Sequence, residues 1–260
     1  FPPSMCTHRD HYFSGESAFE LLYRSPKSRM VETEDLIGVM DAQGVDKSVI
    51  FGFPWRNAAH FKENNDYIIE ASKRFPDRLI GFCCIDPFNS DAVKETQRCI
   101  QNGLRGVGEL AFYEGGIDTP CLSRLDPIMG LCRESDLPVL IHTNEPVGHA
   151  YPGKTANTLA QIYALVRRYP ENRIILAHWG GGIFFYGLLK KEFREAFRNV
   201  YFDTAASPFL YSPEVYLTAA RIMGIANILL GTDYPLLKPE RYFKELEDAG
   251  LEKKQAEAVC

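Results

Sequence analysis

The chain has 260 residues, 29 Lys plus Arg against 34 Asp plus Glu, and a net charge of −5. No block of basic residues stands out, which argues against nucleic acid or an anionic membrane as the main partner. No apolar run reaches the roughly 18 residues of a membrane helix, and 45% hydrophobic content over this length supplies a large core. The reading is therefore one domain over residues 1–260, cytoplasmic, with a small-molecule partner and room for a homodimer. The seven cysteines form no Cys-x-x-Cys pair and are read as reduced thiols.

In chain order, the first thirty residues show no period. His8 and His11 fall there and are read as loop residues. Thr33 can cap a helix with Leu36, Val39 and Met40 inward and Gly44 at its end. A strand is predicted over Asp46 to Phe53, then a loop through Trp55 and Arg56, then a helix burying Phe61, Ile68, Ile69 and Phe75. Arg78 to Asp86 is the next strand, followed by a helix capped by Ser90. Strand Leu104 to Phe112 precedes a helix opened by Asp126-Pro127. Strand Pro138 to Thr143 precedes a helix with Leu159, Ile162, Tyr163 and Val166. Strand Arg173 to Ala177 precedes one with Leu188, Leu189, Phe193 and Phe197. Val200 to Thr204 and Asn227 to Gly231 are the last strands, with helices ending at Gly224 and Gly250. Leu251 to Cys260 is one more helix.

Seven strands each followed by a helix, at intervals of about thirty residues, specify a parallel sheet with right-handed crossovers. Four of the strands deliver a metal-competent side chain near the C-terminal end: Glu109, His142, His178 and Asp233. Ligands from several strands fit a distorted (β/α)8 TIM barrel, whose sites lie at that end, better than an open doubly wound sheet. The helix before the first predicted strand implies an eighth strand ahead of it, one that the chain starts too late to contain. Imidazole and carboxylate together suit a divalent ion, zinc foremost, whose bound water has its pKa lowered to about 7. A nearby carboxylate or histidine can then move protons. The triple glycine after His178 suits a tight turn.

Three stretches carry a resemblance: Ile141-His142-Thr143, Leu176 to Gly182 (Leu-Ala-His-Trp-Gly-Gly-Gly) and Leu230 to Pro235 (Leu-Gly-Thr-Asp-Tyr-Pro). The chain resembles the amidohydrolase-related metal-dependent hydrolases, the branch that contains aminocarboxymuconate semialdehyde decarboxylase. The resemblance implies a distorted (β/α)8 barrel, with His142 as the fifth-strand metal ligand. It makes His178 a ligand or catalytic residue, and Asp233 a ligand and proton shuttle. Glu109 resembles a fourth-strand glutamate that helps hold two metals in the TatD-like relatives. Such proteins carry His-x-His on the first strand, commonly followed by Phe-Pro-Pro. This chain opens on Phe1-Pro2-Pro3, so two further ligands are expected to lie outside it, and a trimmed end is expected at both termini.

The functional expectation is a metal-dependent hydrolase of a small molecule, with His178 and Asp233 catalytic and the metal on His142, Asp233, Glu109 and His178. Trp55, Arg56 and Asn144 are the candidate substrate contacts, Arg56 for a carboxylate. The alternatives are a non-oxidative decarboxylase of the same superfamily, or a ligand-binding barrel without chemistry if the His-x-His is truly absent.

Overall fold

A computed structural model of the chain describes residues 1–189 and 191–260. Among them, seven strands lie where the apolar runs predict them, each shorter than its run. They are β1 (Ser48–Ile50), β2 (Leu79–Gly81), β3 (Val107–Leu110), β4 (Val139–Ile141), β5 (Ile174–Leu176), β6 (Val200–Asp203) and β7 (Ile228–Leu229). All pairings are parallel, β1 with β2 and β3-β4-β5-β6-β7 in that order. A bridge between Cys83 and Val107 links the two groups, with Cys83 N–H donating to the Gly106 carbonyl at 2.9 Å. Spatial order therefore follows chain order with no reversal. A doubly wound sheet must reverse at its switch point, whereas a barrel never does. The fold is a distorted (β/α)8 barrel.

Strand alternation separates two layers of core. Val139 and Ile141 of β4, with Ile174, Leu176, Val200 and Phe202, belong to the large cluster that the helices cover. Leu140 belongs to a separate small cluster with Phe82 and Ala177, against which Phe51, Ile80 and Ile175 pack. Every member of that second cluster comes from a strand or its immediate end, which places it inside the cylinder. Side chains two residues apart share a face. His142 therefore follows Leu140 to the inside.

Several local expectations are corrected. Residues 1–30 are structured: helices Pro3–Thr7 and Ser17–Tyr23 flank a 3-10 turn at Arg9–Tyr12. The buried side chains of Met5 and Phe19 anchor them, a contribution that periodicity misses in elements of two turns or fewer. The cap of Thr33–Gln43 is Glu32, in a capping box with Asp35. The helix expected from Asp126-Pro127 starts at Thr119, capped by Asp118, and carries Pro127 inside it. Ser90 caps nothing, the N-cap being Asp91. Leu188 and Leu189 are exposed rather than buried, because Ile183–Leu188 winds as a 3-10 turn instead of joining the helix at Lys191–Ala196. Gly44 ends its helix in the left-handed conformation as expected.

At Gly108 the strands leave no space for a side chain. Its φ is +130°, and a Cβ there would stand 2.3 Å from the Leu140 carbonyl oxygen. We expect Gly108→Ala to lower stability by about 2 kcal/mol or more through strain and forced strand separation, read as a shifted urea midpoint. An unshifted midpoint would refute this account of the β3–β4 contact.

Candidate metal centre

Glu109, His142 and His178 come from the ends of three neighbouring strands, β3, β4 and β5. Glu109 Oε1 lies 2.7 Å from His142 Nδ1 and 3.5 Å from His178 Nε2. The two imidazoles meet nearly edge-on, their centroids 4.9 Å apart at 72°. Both histidines are buried, and one ligand atom from each of the three residues lies within 4.8 Å of the others.

The outer nitrogens settle the tautomers. His142 Nε2 faces the Gly153 carbonyl at 2.9 Å, and His178 Nδ1 faces the Ala205 carbonyl at 3.0 Å. A carbonyl can only accept, so these nitrogens carry the ring protons. That leaves His142 Nδ1 and His178 Nε2 turned toward an anionic oxygen. Two lone pairs and a carboxylate this close repel one another unless a cation lies between them. Protons can serve, and so can a metal ion, for which two oriented neutral imidazoles and a carboxylate are a fitting donor set. The chemistry of the three residues therefore fits a divalent ion.

The surrounding electrostatics agree. Burial alone would raise the Glu109 pKa, but the hydrogen bond with His142, the close approach of His178, and the charge of both hold it well below the usual carboxylate range. Burial works to lower His178, yet the close approach of Glu109 and the charges of Glu109, Asp233 and Asp203 raise it to about 10. Asp233 follows β7 with a left-handed φ of +53°. Burial first, then the Glu109 charge, raises its pKa, while His178 and His142 oppose the shift. The residue is nevertheless exposed to solvent. Asp233 thus stands beside the three-residue group and does not share its close set of ligand atoms.

The turn after β5 is built for this position. His178, Trp179, Gly180, Gly181 and Gly182 all have positive φ, between +54° and +86°. A Cβ at Gly181 would lie 2.2 Å from the Asn144 carbonyl oxygen, so glycine is required there. Asp203 completes the mount: its Oδ1 accepts from the backbone N–H groups of His178 at 2.9 Å and Ala205 at 3.0 Å. Burial, partly offset by His178, raises Asp203 to about 6. Its positioning role was missed from sequence, although it ends β6 much as Asp233 follows β7. Asp86, the other strand-end aspartate, makes an ordinary turn, accepting from Phe88 N–H at 3.0 Å.

The three residues expected at the substrate are placed elsewhere. Trp55 has no exposed surface: its indole N–H donates to Asn64 Oδ1 at 3.0 Å and its ring packs on Phe19. Arg56 turns outward to Glu114 at 2.8 Å. The cause is the buried Glu16 carboxylate, which takes the backbone N–H groups of Arg56 and Asn57 and fixes the loop with one side chain in and the next out. Asn144 is buried and braces a loop, its Oδ1 accepting from Thr155 N–H at 2.8 Å and Thr155 Oγ1 at 2.6 Å. That loop carries Gly153, so Asn144 serves His142 indirectly. His8 and His11 stack on each other, 5.3 Å apart, and take no part in the group.

Comparison with known proteins follows the geometry. The amidohydrolase family pattern matches residues 9–260. Gamma-resorcylate decarboxylase of Rhizobium radiobacter is 25% identical over 264 residues, covering 82% of this chain and 80% of that protein. The crystal structure of 5-carboxyvanillate decarboxylase from Sphingomonas paucimobilis superposes with a TM-score of 0.75 at 18% identity, over 100% of this chain and 93% of that one. Dihydroxybenzoic acid decarboxylase from Polaromonas sp. JS666, solved with bound manganese and the inhibitor 2-nitroresorcinol, gives 0.69 at 15% identity, over 100% and 91%. At these identities the two structures speak to the fold.

A proton sits on His178 at neutral pH in the metal-free protein, because its pKa is raised, and an ion must displace it. Mn²⁺ affinity, measured by calorimetry on chelator-stripped protein, is therefore expected to rise from pH 6 to pH 8. An affinity flat across that range would contradict the assignment of His178 as a ligand.

Proposed function

Because the chain belongs to the amidohydrolase family, we propose that this metal-dependent enzyme is a non-oxidative decarboxylase of a hydroxylated aromatic acid. One observation carries the reading: an accessible carboxyl group, Asp233, lies beside Glu109, His142 and His178, three donors that fit a divalent ion. Decarboxylation needs that pairing, an anchor for the substrate's oxygens and an acid for its carbon. The relatives support it too, since those named above are decarboxylases of aromatic acids. The hydrolase expected from sequence rests on the same donor set, and the relatives favour decarboxylation over it.

Glu109, His142 and His178 would hold the divalent ion, which when bound supplies a Lewis-acid anchor for the substrate's oxygen atoms. Manganese, present in the Polaromonas relative, is the first ion to test, ahead of zinc. Asp233 gives its proton to the ring carbon that bears the carboxylate, forming a C–H bond. The bond to the carboxylate then breaks, its electron pair returns to the ring, and CO2 leaves. Asp233 regains a proton from solvent, so one proton is consumed for each CO2 released. Asp203 and the Ala205 carbonyl keep His178 oriented throughout.

Manganese-loaded protein should release CO2 from gamma-resorcylate or 5-carboxyvanillate. Asp233→Asn should lose a factor of about 10² or more in rate, the scale of a general acid, while still binding manganese. Wild-type protein that releases CO2 from neither acid, or a variant with unchanged turnover, would overturn the proposal.

A further inference from the structure

His142 is aimed by a loop rather than by a neighbouring strand. Residues 142–158 form neither helix nor strand, yet Gly153 among them brings its carbonyl 2.9 Å from His142 Nε2. Two rungs cross the loop and hold it there. The inner one joins Asn144 to Thr155. The outer one joins Glu145 to Lys154, whose Nζ donates to Glu145 Oε1 at 2.9 Å.

Lys154 is engaged on every side. Its ammonium also donates to the carbonyls of Val147 at 2.7 Å and His149 at 3.4 Å, and lies 5.6 Å over the Tyr151 ring. Its backbone N–H donates to the Tyr151 carbonyl at 3.0 Å, closing the turn Tyr151-Pro152-Gly153-Lys154 from which the Gly153 carbonyl projects. The Tyr151 hydroxyl donates to Glu145 Oε2 at 2.9 Å. Only 18% of the Lys154 side chain and 16% of that of Glu145 remain exposed. Residues 146–150 are all exposed and bury no side chain that could shape the loop instead. Burial alone would raise the Glu145 pKa, but hydrogen bonds from Lys154 and Tyr151 hold it below the usual carboxylate range, so the carboxylate stays ionised at neutral pH. An exposed ion pair contributes little, whereas a half-buried ammonium with three acceptors makes strong, charge-assisted bonds.

The ring proton of His142 is what this clamp controls. A neutral imidazole carries one proton, and Glu109 Oε1, 2.7 Å from Nδ1, competes with the Gly153 carbonyl for it. With the carbonyl in place the proton stays on Nε2, and Nδ1 keeps its lone pair for an ion. With the carbonyl withdrawn the proton moves to Nδ1 and blocks that lone pair. We propose that Lys154 is a positioning residue of the metal group: by clamping Glu145 across the loop it holds the Gly153 carbonyl against His142 Nε2. The inference rests on the metal group of the proposed enzyme and not on which acid it decarboxylates.

The test compares wild type, Lys154→Met and Lys154→Arg by manganese calorimetry on chelator-stripped protein. Melting temperature checks the fold, and proton–nitrogen NMR spectra of the metal-free protein follow the His142 Nε2–H. Lys154→Met should weaken manganese binding about ten- to a hundredfold, the effect of losing an outer partner of a metal-bound imidazole. Its Nε2–H signal, protected in wild type, should be lost to solvent exchange. Lys154→Arg keeps a cation opposite Glu145 and should recover most of the affinity. If Lys154→Met does not fold, Glu145→Gln, which removes the charge and keeps the shape, carries the same two readings. A folded Lys154→Met variant that binds manganese as tightly as wild type, or that loses affinity with the Nε2–H still protected, overturns the role of Lys154 and leaves the metal group standing. Wild-type protein that binds no manganese overturns the metal group and this inference with it.

Discussion

One oxygen atom of Glu109, enclosed by two imidazoles whose outward nitrogens are committed to carbonyls, is the constraint on which the site depends. Neither ring is free to rotate away, since turning would leave a buried N–H unpaired at a cost of about 1–3 kcal/mol. The arrangement requires three adjacent strands in parallel register, and β3, β4 and β5 provide them. It also requires close backbone approach at two points. Gly108 meets the Leu140 carbonyl, and Gly181 meets the carbonyl of Asn144. A methyl group at either would push apart the strand ends that carry the three donors.

The mouth of the barrel concentrates strained backbone. Among the five described non-glycine residues with positive φ, His178, Trp179, Ala206 and Asp233 all follow the C-terminal ends of β5, β6 or β7. Such conformations cost of order 1–3 kcal/mol each and persist where surrounding bonds over-determine them. Here those bonds are visible. The Trp179 indole N–H donates to Ser207 Oγ, the Ala206 backbone N–H to the Tyr242 hydroxyl, and Asp203 accepts from the backbone N–H groups of His178 and Ala205. The large core beneath, with Trp179, Tyr216 and Phe202 fully buried, supplies the stability that this strain draws down.

What the sequence made legible was periodic. Apolar runs located all seven described strands, and of the four polar residues closing them the fold brings three, Glu109, His142 and His178, within ligand distance of one another. Boundaries were less legible, since Asp126-Pro127 has the look of a helix start and the tertiary contacts of Cys121, Leu122 and Leu125 extend the helix before it. Side-chain direction in loops was not legible at all. Trp55 and Arg56 adjoin each other, and only the distant Glu16 decides which goes inward.

These features divide the labour of the site. The strands supply donors, the left-handed turns aim them, and the loop from Asn144 to Asn157 supplies the carbonyl that fixes His142. Asp233 stands apart as an exposed carboxyl group outside the close set of ligand atoms. The central claim is that Glu109, His142 and His178 form one metal-binding centre. Anomalous diffraction at the manganese edge, from crystals of manganese-loaded protein, tests it most directly. The account predicts an ion bonded to Glu109 Oε1, His142 Nδ1 and His178 Nε2, and a strong peak away from all three, or none at that position, would contradict it.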